Sequence, residues 1–405
     1  MSLATSNRAQ LRFIKEVTFG TIPGSGNPNN LRMTGESLAF AINTDTSKEI
    51  RSDRQVTDLI QTGASASGDV NFELSYNEYD PLIEAVMQST YTVFGVNGVG
   101  VAIPTSANFA TGTLTAGAAT SGASIFTSLV MGQWVKIGGS TNPLQNIWAQ
   151  VSLTIPPTTT VLTFQGTPFT GATGLGGAAV TVSASRISNG TTLNSYTIER
   201  GLADATTPQF FAYRGMCASK LSLKFAAGSV VGGAFSFMGK DALRTDTTTQ
   251  LPGSPIASKT LDVVNAVAGV GNIMEGSSVL TGTYIKSVDL SIDNSLRAQT
   301  AIGSLGSVGI GTGSLQVSGT MEVYLADGTM WDKFKNNTAS SLSLRATDGA
   351  GNGYVITLPK IKYGDAKVNA GSLDQDVMLS MPFTAIMDPS TSKTLIIDRA
   401  GVAAT

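Results

Sequence analysis

Two pairs of similar segments recur in the same order along the chain, and this internal repeat is the strongest constraint on its fold. Residues 36–43 resemble residues 286–293 at a separation of 250, and residues 67–74 resemble residues 318–325 at a separation of 251. Within each pair the apolar residues alternate in the same phase, which is typical of strands with one buried face. The sequence therefore predicts two copies of one β unit.

A third pair of segments shows that the two copies differ in length. Residues 227–229, followed by the apolar stretch 234–238, resemble residues 370–372 followed by 377–381, at a separation of only 143. The first copy must then contain about 108 additional residues between its second strand and this hairpin. We place the insertion at 95–190, where Gly, Ala, Ser and Thr dominate and charged residues are rare.

The inserted block has a strand pattern of its own. Short apolar stretches lie between Gly and Pro turns at 132–138, 147–153, 160–164 and 179–183. This pattern favours a separate small β barrel or sandwich. Because both repeat cores are complete without it, we expect the block to project outward from the two repeat domains as an independently folded unit.

One helix follows the second strand of each copy. Residues 78–89 predict a helix with Asp80 as its N-cap and Pro81 at the first helical position. Its core-facing residues would be Leu82, Ile83, Val86 and Met87. Residues 330–335 offer a shorter helix in the second copy. Each copy is thus expected to be a sheet or sandwich flanked by one helix.

These observations divide the chain into six parts. We predict an N-terminal arm (1–34), a discontinuous first repeat domain (35–94 and 191–250), the inserted β domain (95–190), a linker (251–279), a second repeat domain (280–390) and a C-terminal tail (391–405).

Composition excludes several classes of function. The chain has no histidine and a single cysteine, Cys217, which removes His-based catalysis, ordinary zinc sites and intrachain disulfides. Cys217 is expected at a half-buried strand position. Charged residues make up 13%, the net charge is −2 and no basic cluster occurs, so tight binding to nucleic acid is not expected. No motif indicates an enzyme, a cofactor or a metal.

The sequence also lacks the pattern of a secretion signal and any long apolar run, so we expect no membrane contact and assembly from a cytoplasm.

Two segments outside the insertion are candidates for contacts with other molecules. Residues 11–22 are apolar and precede a turn-rich spacer, which favours either an arm that packs on something else or an edge strand of the same domain. Residues 44–66 form a long connection that concentrates charge, whereas the counterpart 294–317 has nearly the same length and is mostly uncharged. Loops of this length usually bind something, so the two loops should meet different environments.

Several stretches resemble the major tail tube proteins of long, non-contractile-tailed bacteriophages. They cover about half of the chain, mostly in the first copy, and comprise residues 11–22, 31–38, 49–55 with 58–60, 68–76, 189–192 with 195–201, and 213–216 with 235–240. The resemblance implies a mainly β protein with two tandem tail-tube-type β-sandwich domains, plus the inserted β domain. It also implies a non-enzymatic subunit of the virion tail, made in the host bacterial cytoplasm, whose rings stack into a hollow conduit for DNA.

Further partners follow from the same resemblance. Rings in the family are generally built from six tube domains, so a chain with two of them would form a homotrimeric ring. Tape measure, terminator and distal tail proteins would contact the ends of the tube, and DNA would pass through it without specific binding.

Stacked rings suggest roles for particular charged residues. Ring-to-ring contacts are expected from residues 8–22 and from the charged residues of the first loop, namely Lys48, Glu49, Arg51, Asp53, Arg54 and Asp58. The channel should be neutral to acidic, because lysine or arginine there would hold DNA phosphates. The polar sides of the repeat strands offer Asp69, Glu73 and Glu322 as lumen charges, opposite the apolar positions Val70, Phe72, Leu74, Met321, Val323 and Leu325.

Two alternatives remain from the residues themselves. A β-sandwich adhesin or capsid decoration module would use the block 95–190 to bind a ligand, and would be a stable monomer or small oligomer. An enzyme acting on polysaccharide through Asp, Glu and Tyr would show turnover. Concentration-dependent rings or tubes would separate the tail tube subunit from both.

Overall fold

The computed structural model describes residues 3–94, 101–103, 107–116, 125–177, 180–265, 274–275, 278–279 and 284–401. The predicted start of the insertion at 95, the end of the linker and start of the second repeat domain (279–280), and the last residues of the C-terminal tail lie at or outside the limits of this part of the chain. The predicted fold class is confirmed as mainly β, with antiparallel sheets and two helices among the described residues.

The chain up to residue 94 begins with a short 3₁₀ turn (Ser6–Arg8) and includes helix α1 (Asp80–Met87). Its strands are β1 (Gln10–Lys15), β2 (Asn29–Leu31), β3 (Gly35–Glu36), β4 (Ala39–Thr46), β5 (Leu59–Glu73) and β6 (Thr92–Phe94).

The next segment contains a 3₁₀ turn (Pro143–Gln145) and the strands β7 (Val101–Ala102), β8 (Asn108–Ala110), β9 (Thr113–Thr115), β10 (Trp134–Gly138), β11 (Trp148–Gln150), β12 (Val161–Thr163), β13 (Gly174–Leu175) and β14 (Thr181–Ser188).

The remaining chain contains β15 (Tyr196–Leu202), β16 (Gln209–Ala226), β17 (Gly232–Gly239), β18 (Asp241–Asp246), β19 (Met274–Glu275), β20 (Ser278–Val279), β21 (Ile285–Asp293), β22 (Arg297–Gln299), β23 (Gly309–Gly311), β24 (Gln316–Tyr324), α2 (Thr329–Lys335), β25 (Ser340–Thr347), β26 (Gly353–Tyr363), β27 (Lys367–Asn369), β28 (Met378–Ala385) and β29 (Ile396–Ala400).

A continuous antiparallel sheet, which we call the central sheet, connects the two predicted copies. Its strand order is β4, β5, β17, β16, β21, β24 and β28, and β28 then pairs with β27 and with the end of β26. The pairing of β16 with β21 joins the first copy to the second. We call this contact the internal junction.

Corresponding strands of the two copies pair in the same way. Their structural alignment, however, differs from the alignment that the sequence pattern suggested. Leu38 lies beside Gly68, whereas Leu290 lies opposite Gly319. If the two glycines are equivalent, Leu38 corresponds to Leu290 and not to Val288. The shift is two residues, so the side chains keep the same face.

The third segment of the repeat matches at its turn but not along its strand. Val70 lies opposite Phe235 in the first copy, and its counterpart Met321 lies opposite Met381 in the second. Phe235 therefore corresponds to Met381, whereas the separation of 143 would place it on Met378. The connection before β28 is three residues longer than the connection before β17. The duplication itself stays a prediction.

One hydrophobic core runs under the central sheet and includes residues from both copies. Five of the six predicted core positions in the repeat strands are buried, namely Val70, Phe72, Leu74, Met321 and Val323. The prediction is wrong for Leu325, which is 37% exposed. It follows the last residue of β24, where the chain leaves the sheet toward α2.

Both predicted helices are confirmed, and the predicted core face of α1 (Leu82, Ile83, Val86 and Met87) is buried. The predicted cap is wrong, because Tyr79 precedes the helix and Asp80 is its first residue. The Asp80 carboxylate instead accepts a hydrogen bond from the Tyr354 hydroxyl at 2.7 Å and pairs with Arg399. Tertiary partners have therefore replaced the local capping interaction.

The predicted insertion has a hydrophobic core of its own, separate from the core under the central sheet. Its four predicted strands correspond to β10, β11, β12 and β14, although the predicted first residue of the last one, Ala179, lies outside the described residues. β14 forms two sets of strand pairings: residues 181–183 pair with β10, and residues 184–188 pair with β6 and β29. The insertion therefore shares its last strand with the rest of the protein.

The apolar N-terminal segment is not a detached arm in this structure. β1 pairs with β15 and β2, and its side chains Leu11, Phe13 and Ile14 are buried. The buried Glu16 carboxylate accepts hydrogen bonds from the Thr197 hydroxyl and the Gly215 amide, both at 2.8 Å. Residues 11, 13, 14, 16 and 20 are buried, so only the other residues of 8–22 are accessible for the expected ring-to-ring contacts.

No helix within the described residues is both long and apolar enough to span a membrane.

Candidate assembly surfaces

The side of the central sheet that faces away from the core is polar, and we call it the polar sheet face. Strand alternation places Asp69, Asn71 and Glu73 of β5 on this side, because their neighbours Val70 and Phe72 are buried. Directly opposite residues on neighbouring strands point to the same side, so the face continues through Ser236, Ser222, Ser291, Ser318, Thr320, Glu322 and Thr384. A groove of about 970 Å³ lies on it, lined in part by Ser222, Lys224, Asp289 and Thr320.

Charges on the polar sheet face alternate in sign across the internal junction. Lys220 lies opposite Asp293, and Lys224 lies opposite Asp289. Opposed residues in an antiparallel pair have Cβ atoms about 4.5–5.5 Å apart, so opposite charges there attract each other. These two lysines therefore each have a carboxylate as cross-strand neighbour, whereas Lys362 and Lys367 of the same face lie opposite Thr384 and Ser380.

The predicted lumen charges share this face. Asp69 and Glu73 lie in the same cross-sheet rows as Lys220 and Lys224, respectively. Glu322 is half-buried and accepts a hydrogen bond from the Ser287 hydroxyl at 3.3 Å. The structure thus brings the three candidates to one side of one sheet, and their position in a channel stays a prediction.

Sequence reasoning missed the two lysine–aspartate pairs on the polar sheet face. The alternation in residues 286–293 was sufficient to place Asp289 and Asp293 on the polar side. Lys220 and Lys224 were missed because residues 220–226 were not recognised as a strand that pairs with a strand of the second copy.

In the described part of the chain, β4 forms one unpaired edge of the central sheet. All of its residues are exposed, and β5 is its strand partner among the described residues. Ser37 donates its backbone N–H to Asp69, so Phe40 and Ile42 present their backbone groups to the free side. Phe40 and Ile42 are 39% and 40% exposed, although they lie on the apolar side of the sheet.

β27 and the end of β26 form the opposite edge. Their described strand partner from residue 362 onward is β28. Gly364 donates its backbone N–H to Pro382, so residue 382 and the alternate residue Ser380 face this edge. Ser380 lies opposite Lys367, which leaves the backbone groups of Val368 on the free side. Val368 is 45% exposed.

The charged first loop is the tip of a hairpin that extends from the β4 edge. β4 and β5 shorten the predicted connection of 44–66 to residues 47–58. Its candidate contact residues are all exposed: Lys48, Glu49, Arg51, Asp53, Arg54 and Asp58. Arg51 and Asp53 form an ion pair at 2.8 Å, and this contact lowers the pKa of Asp53. No contact in the structure tests their role between rings.

The second loop lies against the first copy. The amide of Ala64 donates to the carbonyl of Leu305 at 2.8 Å, and the Asn294 side chain donates to the carbonyls of Val86 and Ala218. The two loops therefore have different environments within the chain, as predicted.

The family model described as phage tail tube protein matches residues 6–385, which is nearly the whole chain. The chain belongs to this family. It is thus a structural tail tube subunit and a component of the phage virion tail, as the resemblance implied. No curated protein gives a significant match to the chain.

The only cysteine of this tail tube protein is an inert core residue. Cys217 lies in β16 and is 1% exposed, so its predicted strand position is confirmed and is more deeply buried than expected. Burial raises the pKa of its thiol to about 12. At neutral pH the side chain is therefore protonated and shielded, which makes it a poor nucleophile.

The inserted block of the tail tube protein contacts the second copy through polar side chains. Lys136 donates to the carbonyl of Ala350 at 3.0 Å, and the Trp148 indole N–H donates to the carbonyl of Gly351 at 2.9 Å. Partial burial in this contact lowers the pKa of Lys136. Within the described residues, no group of three or more His, Cys, Asp or Glu side chains is placed to hold a metal.

Proposed function

We propose that this tail tube protein assembles through the two free edges of its central sheet into closed rings that stack into a hollow tube for DNA ejection. The observation that carries the proposal is the internal junction. In it, β16 and β21 already join the two copies edge to edge and, among the described residues, leave one unpaired strand edge at each end of the sheet. Unpaired edges of this kind readily accept another strand.

The proposed ring contains three chains. The resemblance implies six tube domains in a ring, and each chain would supply two. Such a ring has true threefold symmetry and approximate sixfold symmetry, and it closes without leaving a free edge.

The polar sheet face is proposed to line the channel. Its groove gives it a concave region, and at the internal junction Lys220 and Lys224 each lie opposite an aspartate. The carboxylates Asp69, Glu73 and Glu322 add negative charge, which repels DNA phosphates. These carboxylates would weaken the salt-dependent attraction between DNA and the lysines of this face.

The remaining parts of the proposal concern partners and chemistry. Tape measure, terminator and distal tail proteins would contact the ends of the tube, and assembly would take place in the host bacterial cytoplasm. The protein would act without a catalytic site or cofactor.

Negative-stain microscopy and native mass measurement of the purified protein test the proposal. We expect rings or tubes whose abundance increases with protein concentration, and a ring mass equal to three chains. A monomer that persists at all concentrations would contradict the assembly. A ring of six chains would show that the second copy lies outside the inner wall.

A further inference from the structure

We infer that the contact between neighbouring chains repeats the internal junction, with β4 of one chain antiparallel to residues 366–369 of the next and Phe40 opposite Ala366. The inference rests on the proposed ring and specifies the surface, partner and register of its contacts. The partner is a second copy of this chain.

The internal junction supplies the geometry. On the core side, Leu221 lies opposite Ile292 and Leu223 lies opposite Leu290. All four side chains are at most 5% exposed. On the polar sheet face, Ser222 lies opposite Ser291. A junction of this kind buries apolar side chains on one side of the sheet and keeps the other side polar.

The free edge of the second copy corresponds to the edge of β16. In the first copy, Asn71 lies opposite Ala234, which lies opposite Ser222. In the second copy, Glu322 lies opposite Ser380, which lies opposite Lys367. Lys367 thus takes the position of Ser222, and its neighbours Ala366 and Val368 take the positions of Leu221 and Leu223.

The free edge of the first copy corresponds to the edge of β21. Leu38 beside Gly68 matches Leu290 opposite Gly319, so Ala39 takes the position of Ser291 and Phe40 that of Ile292. The predicted pairs between chains are then Phe40 with Ala366, Ala39 with Lys367, and Leu38 with Val368. The sequence separations of 250 and 143 lead to the same pairing between chains. The structure changes each separation by two residues, and in an antiparallel pair these two changes compensate each other.

The backbone groups of β4 agree with this register, whereas at the other edge the Ala366 N–H donates to the Asp365 carboxylate at 2.7 Å and must exchange that contact for the carbonyl of Phe40. In the internal junction the N–H of Asn294 donates to the carbonyl of Ser219, and the N–H of Ala227 donates to the carbonyl of Lys286. Because hydrogen-bonded pairs alternate along an antiparallel ladder, Leu221 and Ile292 form such a pair. The backbone N–H and C=O of Phe40 point to the free side, as the corresponding groups of Ile292 point toward β16. The carbonyl of Leu38 already accepts from Tyr213 at 3.0 Å, so the ladder between chains begins at Phe40.

The exposed apolar residues at the edges are explained by the same contact. Phe40, Ile42 and Val368 are 39–45% exposed on the core side of the sheet. Pairing would cover these residues as the internal junction covers Leu290 and Ile292.

A disulfide between designed cysteines tests the register. Ala39→Cys with Lys367→Cys places the thiols at a non-hydrogen-bonded pair, where Cα atoms are about 4.5 Å apart and a disulfide fits. After oxidation we expect covalently linked dimers and trimers on a non-reducing gel. Cys217 should not interfere, because it is 1% exposed and its thiol pKa is about 12. The wild-type chain checks this.

Two matched variants control the experiment. Ser222→Cys with Ser291→Cys occupies the equivalent pair of the internal junction and should give a bond within one chain. Ala41→Cys with Lys367→Cys is two residues out of register, and we expect at least tenfold less product between chains.

The outcomes separate this inference from the proposed function. Rings seen by microscopy without the Ala39–Lys367 product, or with equal product from the offset pair, overturn the register and leave the ring intact. Absence of both rings and product overturns the register together with the proposed function.

A second variant covers the case in which the cysteines prevent folding. Phe40→Asp should abolish rings without lowering the melting temperature, whereas Leu325→Asp, an equally exposed apolar site away from both edges, should assemble normally. Rings formed by Phe40→Asp would contradict the inference.

Discussion

Arg186 in β14 and Asp398 in β29 form a bidentate ion pair, with Nε to Oδ1 and Nη2 to Oδ2 both at 2.7 Å. The Asp398 side chain is fully buried, and it also accepts the backbone N–H of Trp134 at 3.0 Å. Trp134 belongs to the inserted block, and β29 lies in the segment predicted as the C-terminal tail. One buried carboxylate therefore connects the inserted block with the rest of the tail tube protein.

Removal of the Arg186 guanidinium should destabilise the fold strongly. Arg186→Met leaves the Asp398 carboxylate buried without its partner, which typically costs about 3–5 kcal/mol of unfolding free energy. Urea unfolding followed by circular dichroism measures the change. The double variant Arg186→Met with Asp398→Leu should recover part of the loss, and a loss below about 1 kcal/mol in the single variant would show that the pair is not buried in solution.

Deletion of the inserted block should depend on where the deletion ends. Replacing 98–187 by a Gly/Ser linker removes most of β14, including Arg186 and the residues that pair with β6 and β29. We expect this variant to be insoluble or strongly destabilised. Replacing 98–182 retains those pairings and should still give rings by negative-stain microscopy. Equal assembly of both variants would show that β14 does not contribute to the wall.

The sequence predicted much of the fold because period-two patterns do not depend on distant contacts. The strands around Val70 and Met321, the helix at 80–87 and the extra block were all visible as local patterns. The alignment between the two copies was harder to predict from the sequence, because a shift of two residues leaves the same side chains on the buried face. The match of Leu38 with Val288 was therefore plausible on pattern alone, and only the neighbouring strands identify Leu290 as its counterpart.

The register of β24 depends on a glycine at 319. A Cβ atom at this position would overlap the carbonyl oxygen of Asp289 and the ring of Phe383. Gly319→Ala should therefore lower the unfolding free energy by about 1–3 kcal/mol, as overpacking generally does. Gly349→Ala is the matched control, because no atom lies within 4 Å of its Cβ position. Equal melting temperatures for the two variants would contradict the tight contact.

The charged hairpin tip should affect assembly more than folding. Arg51→Glu with Arg54→Glu changes two exposed residues, so the melting temperature should stay within about 2 °C of the wild type. If the tip makes ring-to-ring contacts, the variant should form rings that do not elongate, and high salt should shorten wild-type tubes.

Tube length measured by negative-stain microscopy checks this expectation. Lys333→Glu with Lys335→Glu on α2 carries the same change in net charge and should elongate normally. Unchanged tube length in the Arg51/Arg54 variant would show that the tip does not connect rings.

The site was less predictable than the fold, because its charges come from distant parts of the chain. Asp69 and Glu73 could be placed on a polar strand face from the local pattern. Their relation to Lys220 and Lys224 could not, since it depends on the pairing of β5 with β17, whose residues lie about 160 positions apart, and on the pairing of β17 with β16. The same holds for Asp80, whose local sequence favours a cap while Arg399 and Tyr354 engage it from the other end of the chain.

Removal of the aspartates of the internal junction should make the polar sheet face bind DNA. Asp289→Asn with Asp293→Asn leaves Lys224 and Lys220 without their cross-strand carboxylates, and the two charges recur in every chain of every ring. Each phosphate that such a lysine neutralises steepens the dependence of log K on log salt by about 0.9. We expect assembled tubes of the variant to bind a short DNA duplex at 50 mM salt, to lose it at 200 mM, and to differ clearly from wild-type tubes in fluorescence anisotropy. Asp262→Asn with Asp374→Asn changes two exposed aspartates away from the face and serves as the charge-matched control. Equal binding by both variants would place the lysine–aspartate pairs outside the path of DNA.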